Sequence, residues 1–494
     1  MMKAITVEEA CKAVGGIWRG NSEGLSKAIT SVIIDSRKAE DGALFVAIPG
    51  DRVDGHDYIK AVLENGAVCA VSERELDLPD PSYILVQNTR KALRDLAAYY
   101  RSILDITVVG VTGSVGKTST KEMIASVLSE RFCVQKTAGN FNNEIGLPLT
   151  VFSIEERHRI AVLEMGISDF GEMSRLAEIA RPDLMVITNI GQCHLENLID
   201  RDGVRKAKTE CFEYLKEDAC VILNGMDDKL AQITDVQGKR PYFFGISDDP
   251  QLPANAAVPF SGKGGCQTAE NPEVYASASE VKNLGFGGSE CILRMKGPSQ
   301  PDLTCKVQIP VAGKHMVINV SAAATVGLLL GMTAEEIASG VSKAEAIAGR
   351  GKRISTSKYL LIDDCYNANP ASMKAELALL ALSPGRRVAL LGDMFELGAA
   401  EKDLHYEVGA YAASCCDVLI GIGNLSECMC EGAKQSAGKA SLPEGQEGPA
   451  IYHFSGKQEF LDQCDDLLRE GDTILLKASH GMDFHALLEE LQVR

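Results

Sequence analysis

The 494-residue chain has no apolar run of about 18 residues, the length a helix needs to cross a bilayer, so no membrane span is expected. Its opening stretch, MMKAITVEEACKAV, carries charges inside the apolar pattern and does not read as a signal peptide. No CxxC pair occurs among the 15 cysteines, whose count is odd and spacing scattered. Cys415 and Cys416 are adjacent, and Cys428 and Cys430 are two apart. That argues against a disulfide or zinc framework and for reduced thiols, with a cytoplasmic location as the expectation. Positive charge is also short: 50 Lys and Arg face 68 Asp and Glu, a net of −18. Such a chain is a poor general binder of nucleic acid or anionic membrane, so neither is expected as a partner. An anionic substrate would need basic groups placed locally. GIGN, Gly421–Asn424, lacks the rest of a dinucleotide fingerprint, which argues against NAD binding. No fixed-period repeat appears.

What is present is a patterned α/β chain, long enough for two to four domains. Residues 1 to about 86 mix short elements: strands at Ser31–Asp35, Ala43–Ile48 and Ala67–Val71, a polar loop at Gly50–Tyr58, and a helix at Ile59–Asn65. The middle region opens with a helix at Arg90–Arg101 and a β-branched strand at Ile106–Val111. A Gly-rich turn and a helix over Lys117–Arg131 follow. Apolar runs at Ile160–Leu163, Leu184–Thr188 and Ala219–Leu223 read as parallel strands joined by crossover helices. Residues 247–275, rich in Pro, Gly, Ser and Ala, read as a surface loop, and Asn319–Leu330 as a small-residue helix. From about 350 the alternation restarts. Strands are expected at Tyr359–Ile362, Arg387–Leu391, Val418–Ile422, Ile451–Phe454 and Thr473–Lys477, which suggests a Rossmann-like doubly wound domain.

The sharpest motif is VTGSVGKTST, Val111–Thr120, set between a predicted strand and a predicted helix. Glycine lets the backbone turn tightly round phosphate oxygens, and the N–H groups of the helix start point at the anion. Gly113, Ser114, Val115, Gly116, Lys117, Thr118 and Ser119 are the candidate ATP-binding residues. Lys117 supplies charge to the β- and γ-phosphates, and the Thr118 hydroxyl can ligate Mg²⁺. The match is a shortened TGxxGKT form, because Val111 stands where the usual pattern has its first glycine. Glu164, His194, Lys206 and Lys208 follow strands of the same region, with the two lysines expected to start or precede a helix. Strand ends of a parallel sheet converge, so a carboxylate and a histidine there can hold Mg²⁺. Taken alone, each is equally a solvated strand-end or loop residue, and the pattern leaves the nucleotide's fate open.

Further segments carry a resemblance. TGSVGKTSTKE, TAGNFNNEIGLPLT (Thr137–Thr150), LEMG (Leu163–Gly166), TNIGQCHLE (Thr188–Glu196), KAKTE (Lys206–Glu210) and GKHMVINVSAAA (Gly313–Ala324) resemble the central part of Mur ligases. IDSRKAEDGALFVAIPGDRVDGHDY (Ile34–Tyr58), DDCYNANPASMKAEL (Asp363–Leu377) and LLGDMFELG (Leu390–Gly398) resemble the member of that family that takes a dipeptide. The resemblance implies three domains: 1–86 for a UDP-sugar, 87–345 as an ATP-binding P-loop domain, and 346–494 for the incoming dipeptide. It implies an ATP-dependent amide ligase forming ADP and phosphate through an acyl phosphate. The implied substrates are UDP-MurNAc-tripeptide and D-Ala-D-Ala, and a monomer is expected.

By the same resemblance Ser36 and Arg37 contact the UDP-muramoyl substrate, and Asn142 and Asn143 are substrate-binding. Glu164 and His194 are magnesium ligands, and Lys208 is a lysine that is carbamylated to serve a second Mg²⁺, with Lys206 its rival. Asn319 reads adenine, its bland role being a helix N-cap; Arg350 and Asp364 close onto the nucleotide from the third domain. Asn367, Asn369, Glu396 and His405 are expected near the dipeptide or the domain interface. KASHGM (Lys477–Met482) departs from the family's Lys-Gly-Ser-Arg-Gly-Met-like stretch, and an Arg-to-His change removes a permanent charge and a bidentate donor. A sister ligase adding one amino acid, a kinase and a nucleotide-dependent binding protein stand as alternatives.

Overall fold

The computed structural model describes residues 2–50, 53–79, 81–252, 254–258, 275–296, 302–439 and 448–494. Residues 259–274 of the expected surface loop lie outside them. Among the described residues no helix is long and apolar enough to cross a membrane.

The central sheet has six strands, all parallel, in the order Tyr242–Phe244, Cys220–Asn224, Leu184–Ile187, Thr107–Thr112, Ile160–Glu164, Val134–Lys136. Side chains alternate across it. Val108 joins the core under helices Thr89–Ser102 and Glu172–Ala180, while Val109 and Val111 join the one under Lys117–Leu128 and Lys314–Leu329. Burial on both faces explains why these strands read as continuous apolar runs. Their C-terminal ends come out at one edge, beside the glycine-rich turn.

An antiparallel sheet of Tyr275–Asn283, Ser289–Lys296 and Leu303–Ile309 was not expected from the sequence. Its middle strand alternates, sending Cys291, Leu293 and Met295 into the same core as helix Lys314–Leu329. Leu252, Ala256 and Val258 are likewise buried, so the first part of the expected surface loop is packed rather than solvated. The expected helix at Asn319 starts earlier, at Lys314 with Gly313 as its N-cap, so Asn319 is not a cap. Lys206 and Lys208 close the helix Arg201–Thr209 instead of starting one.

The N-terminal sheet runs Ile17–Arg19, Tyr83–Leu85, Cys69–Ser72, Ala43–Val46, Ser31–Ile33, with only the first pair antiparallel. Trp18, on its edge strand, donates from Nε1 to the Asn21 carbonyl at 2.8 Å. The Gly50–Tyr58 stretch, expected as loop, carries a 3₁₀ turn at Gly55–Tyr58 capped by Asp54. The C-terminal sheet has the order Lys352–Ser355, Leu360–Asp364, Thr473–Lys477, Arg387–Gly392, Val418–Ile422, Ala450–Phe454. The last five strands are parallel; Lys352–Ser355 is an unexpected antiparallel edge. Helices Glu401–Ala412 and Ser426–Lys439 cross closely at Gly409 and Gly432.

Candidate active site

The glycine-rich turn leaves the central strand at Thr112. Gly113 has φ +149°, and a Cβ there would lie 1.9 Å from Thr188 Oγ1, so no other residue fits. Gly116, at φ +81°, starts the helix Lys117–Leu128. The neighbouring strand's tail holds the loop in shape. Asn189 accepts from Val115 N–H through Oδ1 and donates to the Val115 carbonyl through Nδ2, both at 2.9 Å. Ser114 Oγ accepts from Gly191 N–H at 2.8 Å. Lys117 Nζ folds back to donate to the Gly113 carbonyl at 2.8 Å. Burial lowers the Lys117 pKa, and Glu164 nearby works the other way. Thr118 Oγ1 is buried without a hydrogen-bond partner.

Glu164 ends the adjacent strand and is 1% exposed. Its Oε1 accepts from Asn142 Nδ2 at 2.8 Å. Its Oε2 has no hydrogen-bond partner and lies 3.8 Å from Lys121 Nζ. Asn143 instead shapes its own turn, accepting from Gly146 N–H at 2.8 Å. His194, at φ +51°, precedes the short helix Leu195–Leu198, and its Nδ1 lies 2.5 Å from Glu396 Oε2 of the C-terminal unit. Lys208 is buried, and burial pushes its pKa down to about 8. Lys206 is exposed, with its ammonium 5.6 Å from the centre of the Phe170 ring, so the plain surface lysine of the two is Lys206.

The opposite wall comes from the C-terminal unit. Arg350 stacks on Tyr366, 4.3 Å from the ring centre, and His480 packs on the same ring at 5.8 Å. Asp364 pairs with the buried Lys477, which also donates to the Asn367 carbonyl at 2.9 Å. Asn369 caps helix Pro370–Leu380 in a reciprocal box with Ser372. Between the walls lies a cleft of about 900 Å³ lined by Ser114–Lys117, Ser119, Asn142, Asn143, Glu164, His194, Asn319, Arg350, Asp364, Asn367 and Asn369. Asn319 accepts from Thr120 Oγ1 at 2.9 Å, which ties its helix to the loop helix.

Not every expected residue arrives there. Ser36 and Arg37 stand in the N-terminal unit, away from the cleft lining, with Arg37 largely exposed and forked onto Asp35. His405 is buried elsewhere. Its Nε2 accepts from Met394 N–H at 2.8 Å, bracing the turn that carries Glu396. The cleft also contains residues that sequence reasoning passed over: Asn189, Asp227, Arg201, His315 and Glu376. Glu376 is buried with Oε2 unpartnered, and burial, aided by Asp364, raises its pKa to about 8. Asn189 had a legible signal, since it directly follows a strand that ends beside the loop.

Comparison with known proteins agrees across the whole chain. Models described as Mur ligase family, catalytic domain, as Mur ligase middle domain, and as Mur ligase, glutamate ligase domain match residues 28–101, 111–327 and 349–480. The UDP-N-acetylmuramoyl-tripeptide–D-alanyl-D-alanine ligase of Bacillus subtilis is 35% identical over 98% of both chains. The chain belongs to the Mur ligase family. The Escherichia coli ligase of the same name is 32% identical to this Mur ligase over 96% of each. Among solved structures, a MurF from Acinetobacter baumannii superimposes with TM-score 0.84 at 29% identity, covering 100% of both chains. MurF from Thermotoga maritima, solved with ADP, gives 0.76 at 26% identity, covering 94% of this chain and 97% of that one.

Proposed function

We propose that this Mur ligase adds D-Ala-D-Ala to UDP-MurNAc-tripeptide, consuming ATP and releasing ADP and phosphate. The observation that carries the reading is the meeting of two motifs in one cleft. The phosphate loop forms one wall, and the segment Asp363–Leu377, which resembles the dipeptide-adding ligases, forms the other. The relatives that match along nearly the full chain carry this activity in their names.

The division of labour follows the three units, with 1–86 for the UDP-sugar, 87–345 for ATP and 346–494 for the dipeptide. A carboxylate is a poor electrophile, so the tripeptide's terminal carboxylate takes the γ-phosphoryl group and becomes an acyl phosphate. The dipeptide amine then attacks and phosphate leaves. Two anions must meet in the first step. Lys117 and the loop N–H groups stabilise the transferring charge. Positioning both substrates supplies much of the rest, and the two walls of the cleft keep water from the acyl phosphate.

Buried, unpartnered oxygens at Thr118 and Glu164 suit a magnesium site, and His194 lines the same cleft as Glu164. Among the described residues no cluster of three acidic, histidine or cysteine ligands converges, so such a cation would complete its shell with phosphate oxygens and water. When bound, Mg²⁺ neutralises phosphate charge. Lys208, kept partly unprotonated by burial, is a suitable amine for carbamylation, which would make it an anionic partner for a second Mg²⁺. We read the protein as a cytoplasmic monomer.

Phosphate release from ATP, with each of Mg²⁺, UDP-MurNAc-tripeptide and D-Ala-D-Ala omitted in turn and product mass recorded, tests the proposal. The expected result is release that needs all of them, with a pentapeptide product. Release without the dipeptide, or a product formed with one amino acid, would replace this reading with the switch or sister-ligase one.

A further inference from the structure

His194 and Glu396 belong to different units, yet their side chains touch, Nδ1 to Oε2, at 2.5 Å. Both backbones are in the left-handed region, at φ 51° and 62°, which bulky side chains seldom adopt. Each is braced. The turn bearing Glu396 is fixed by Met394 N–H donating to His405 Nε2 and by Phe395 N–H donating to Ser479 Oγ at 2.9 Å. Next to it Gly398 packs on the backbone of Leu195 and Glu196, and Leu195 tucks into the apolar cluster of the C-terminal helices. The contact is therefore the tip of a docked backbone interface.

With side-chain exposures of 22% and 56%, the pair adds little to stability as an ion pair. Its consequence is orientation. His194 lines the cleft, and its 2.5 Å contact with Glu396 is an ion-pair contact at Nδ1 that does not meet hydrogen-bond geometry, while no group among the described residues pairs with Nε2. A histidine that ligates a metal generally has its other nitrogen held by a carboxylate or carbonyl, which sets the ring's orientation and raises its basicity.

We propose that Glu396 is a positioning residue for the cation site: its ion-pair contact at Nδ1 orients His194 and leaves Nε2 for the metal, so the site reaches full affinity only with the C-terminal unit docked. This rests on reading His194 as a metal ligand. It ties metal binding to domain docking through one carboxylate of the LLGDMFELG segment, and gives that segment a task besides dipeptide recognition.

Mn²⁺ binding to the full-length protein with ADP, followed by the electron paramagnetic resonance of free Mn²⁺, tests it. Glu396→Ala should weaken Mn²⁺ about 10-fold, with Glu396→Asp recovering part of the loss and metal-free ADP affinity unchanged. His194→Ala should weaken Mn²⁺ at least as much, and the double variant no further. Unchanged or tighter Mn²⁺ in Glu396→Ala, alongside a loss in His194→Ala, overturns the positioning role and leaves the ligase reading intact. Unchanged Mn²⁺ in His194→Ala removes His194 from the metal site and the inference with it.

Discussion

Lys208 is a cation without a counter-ion. It is fully buried in the last turn of its helix, and no ion pair or hydrogen bond holds its Nζ among the described residues. Burial lowers its pKa from 10.5 to about 8. Below pH 8 both folded and unfolded chains bind the proton, and the folded chain bears the full burial penalty. Between 8 and 10.5 the unfolded chain binds more protons, so stability rises with pH. Lys208→Met should therefore stabilise the protein by about 3 kcal/mol at pH 7. The gain should fade by pH 10.5, as read from urea melts in CO₂-free buffer. Function should move the opposite way. Lys208→Ala is expected to keep ATP binding and lose ligation, with partial recovery on adding a short-chain carboxylate; full activity without it would refute the carbamylation role. At this scale the sequence separates some residues well and others poorly. The phosphate loop is legible because its chemistry is contiguous. The pairing of His194 with Glu396 is not, because the two lie on different units and meet only through docking. Ser36 and Arg37 rest on resemblance alone, and their exposed turn carries no sign of a ligand.

Elements are legible where a pattern and a boundary signal coincide. The start of the helix Lys314–Leu329 is hard to read from sequence because Gly313 offers no side-chain cap, and because apolar residues surround the helix instead of marking one face. The antiparallel sheet around Ser289–Lys296 is poorly legible although SECILRMK alternates cleanly, because a Pro- and Gly-rich stretch precedes it and masks the strand signal. The edge strand Lys352–Ser355 is short and polar, and only its pairing reveals it. What no pattern announces is how near two elements lie. A Cβ at Gly409 would meet the Met429 carbonyl oxygen at 1.8 Å, and one at Gly432 the Tyr406 carbonyl at 2.1 Å. These helices can cross as they do only with glycine on both. Gly409→Ala should cost about 1–3 kcal/mol of stability, seen as a lower melting temperature. ATP affinity should be little changed, because the phosphate loop stands in another unit.

Across the whole molecule, the cleft is built from two units joined by one stretch of chain between Ser342 and Lys352, where Gly349 and Gly351 both have positive φ. A hinge in this region would let substrates enter and then exclude water. Small-angle scattering should show a more compact particle when an ATP analogue and UDP-peptide are added together; superimposable curves would count against closure. The units also differ in what they report. The chain has a single tryptophan, Trp18, on the edge of the N-terminal sheet. Tryptophan emission is thus a built-in probe of the first unit, blind to the other two. Circular dichroism averages over all three. A fluorescence melt that precedes or follows the dichroism melt would show that the protein does not unfold as one cooperative body. Any single free energy quoted for it from the fluorescence curve would then describe a small sheet remote from the chemistry.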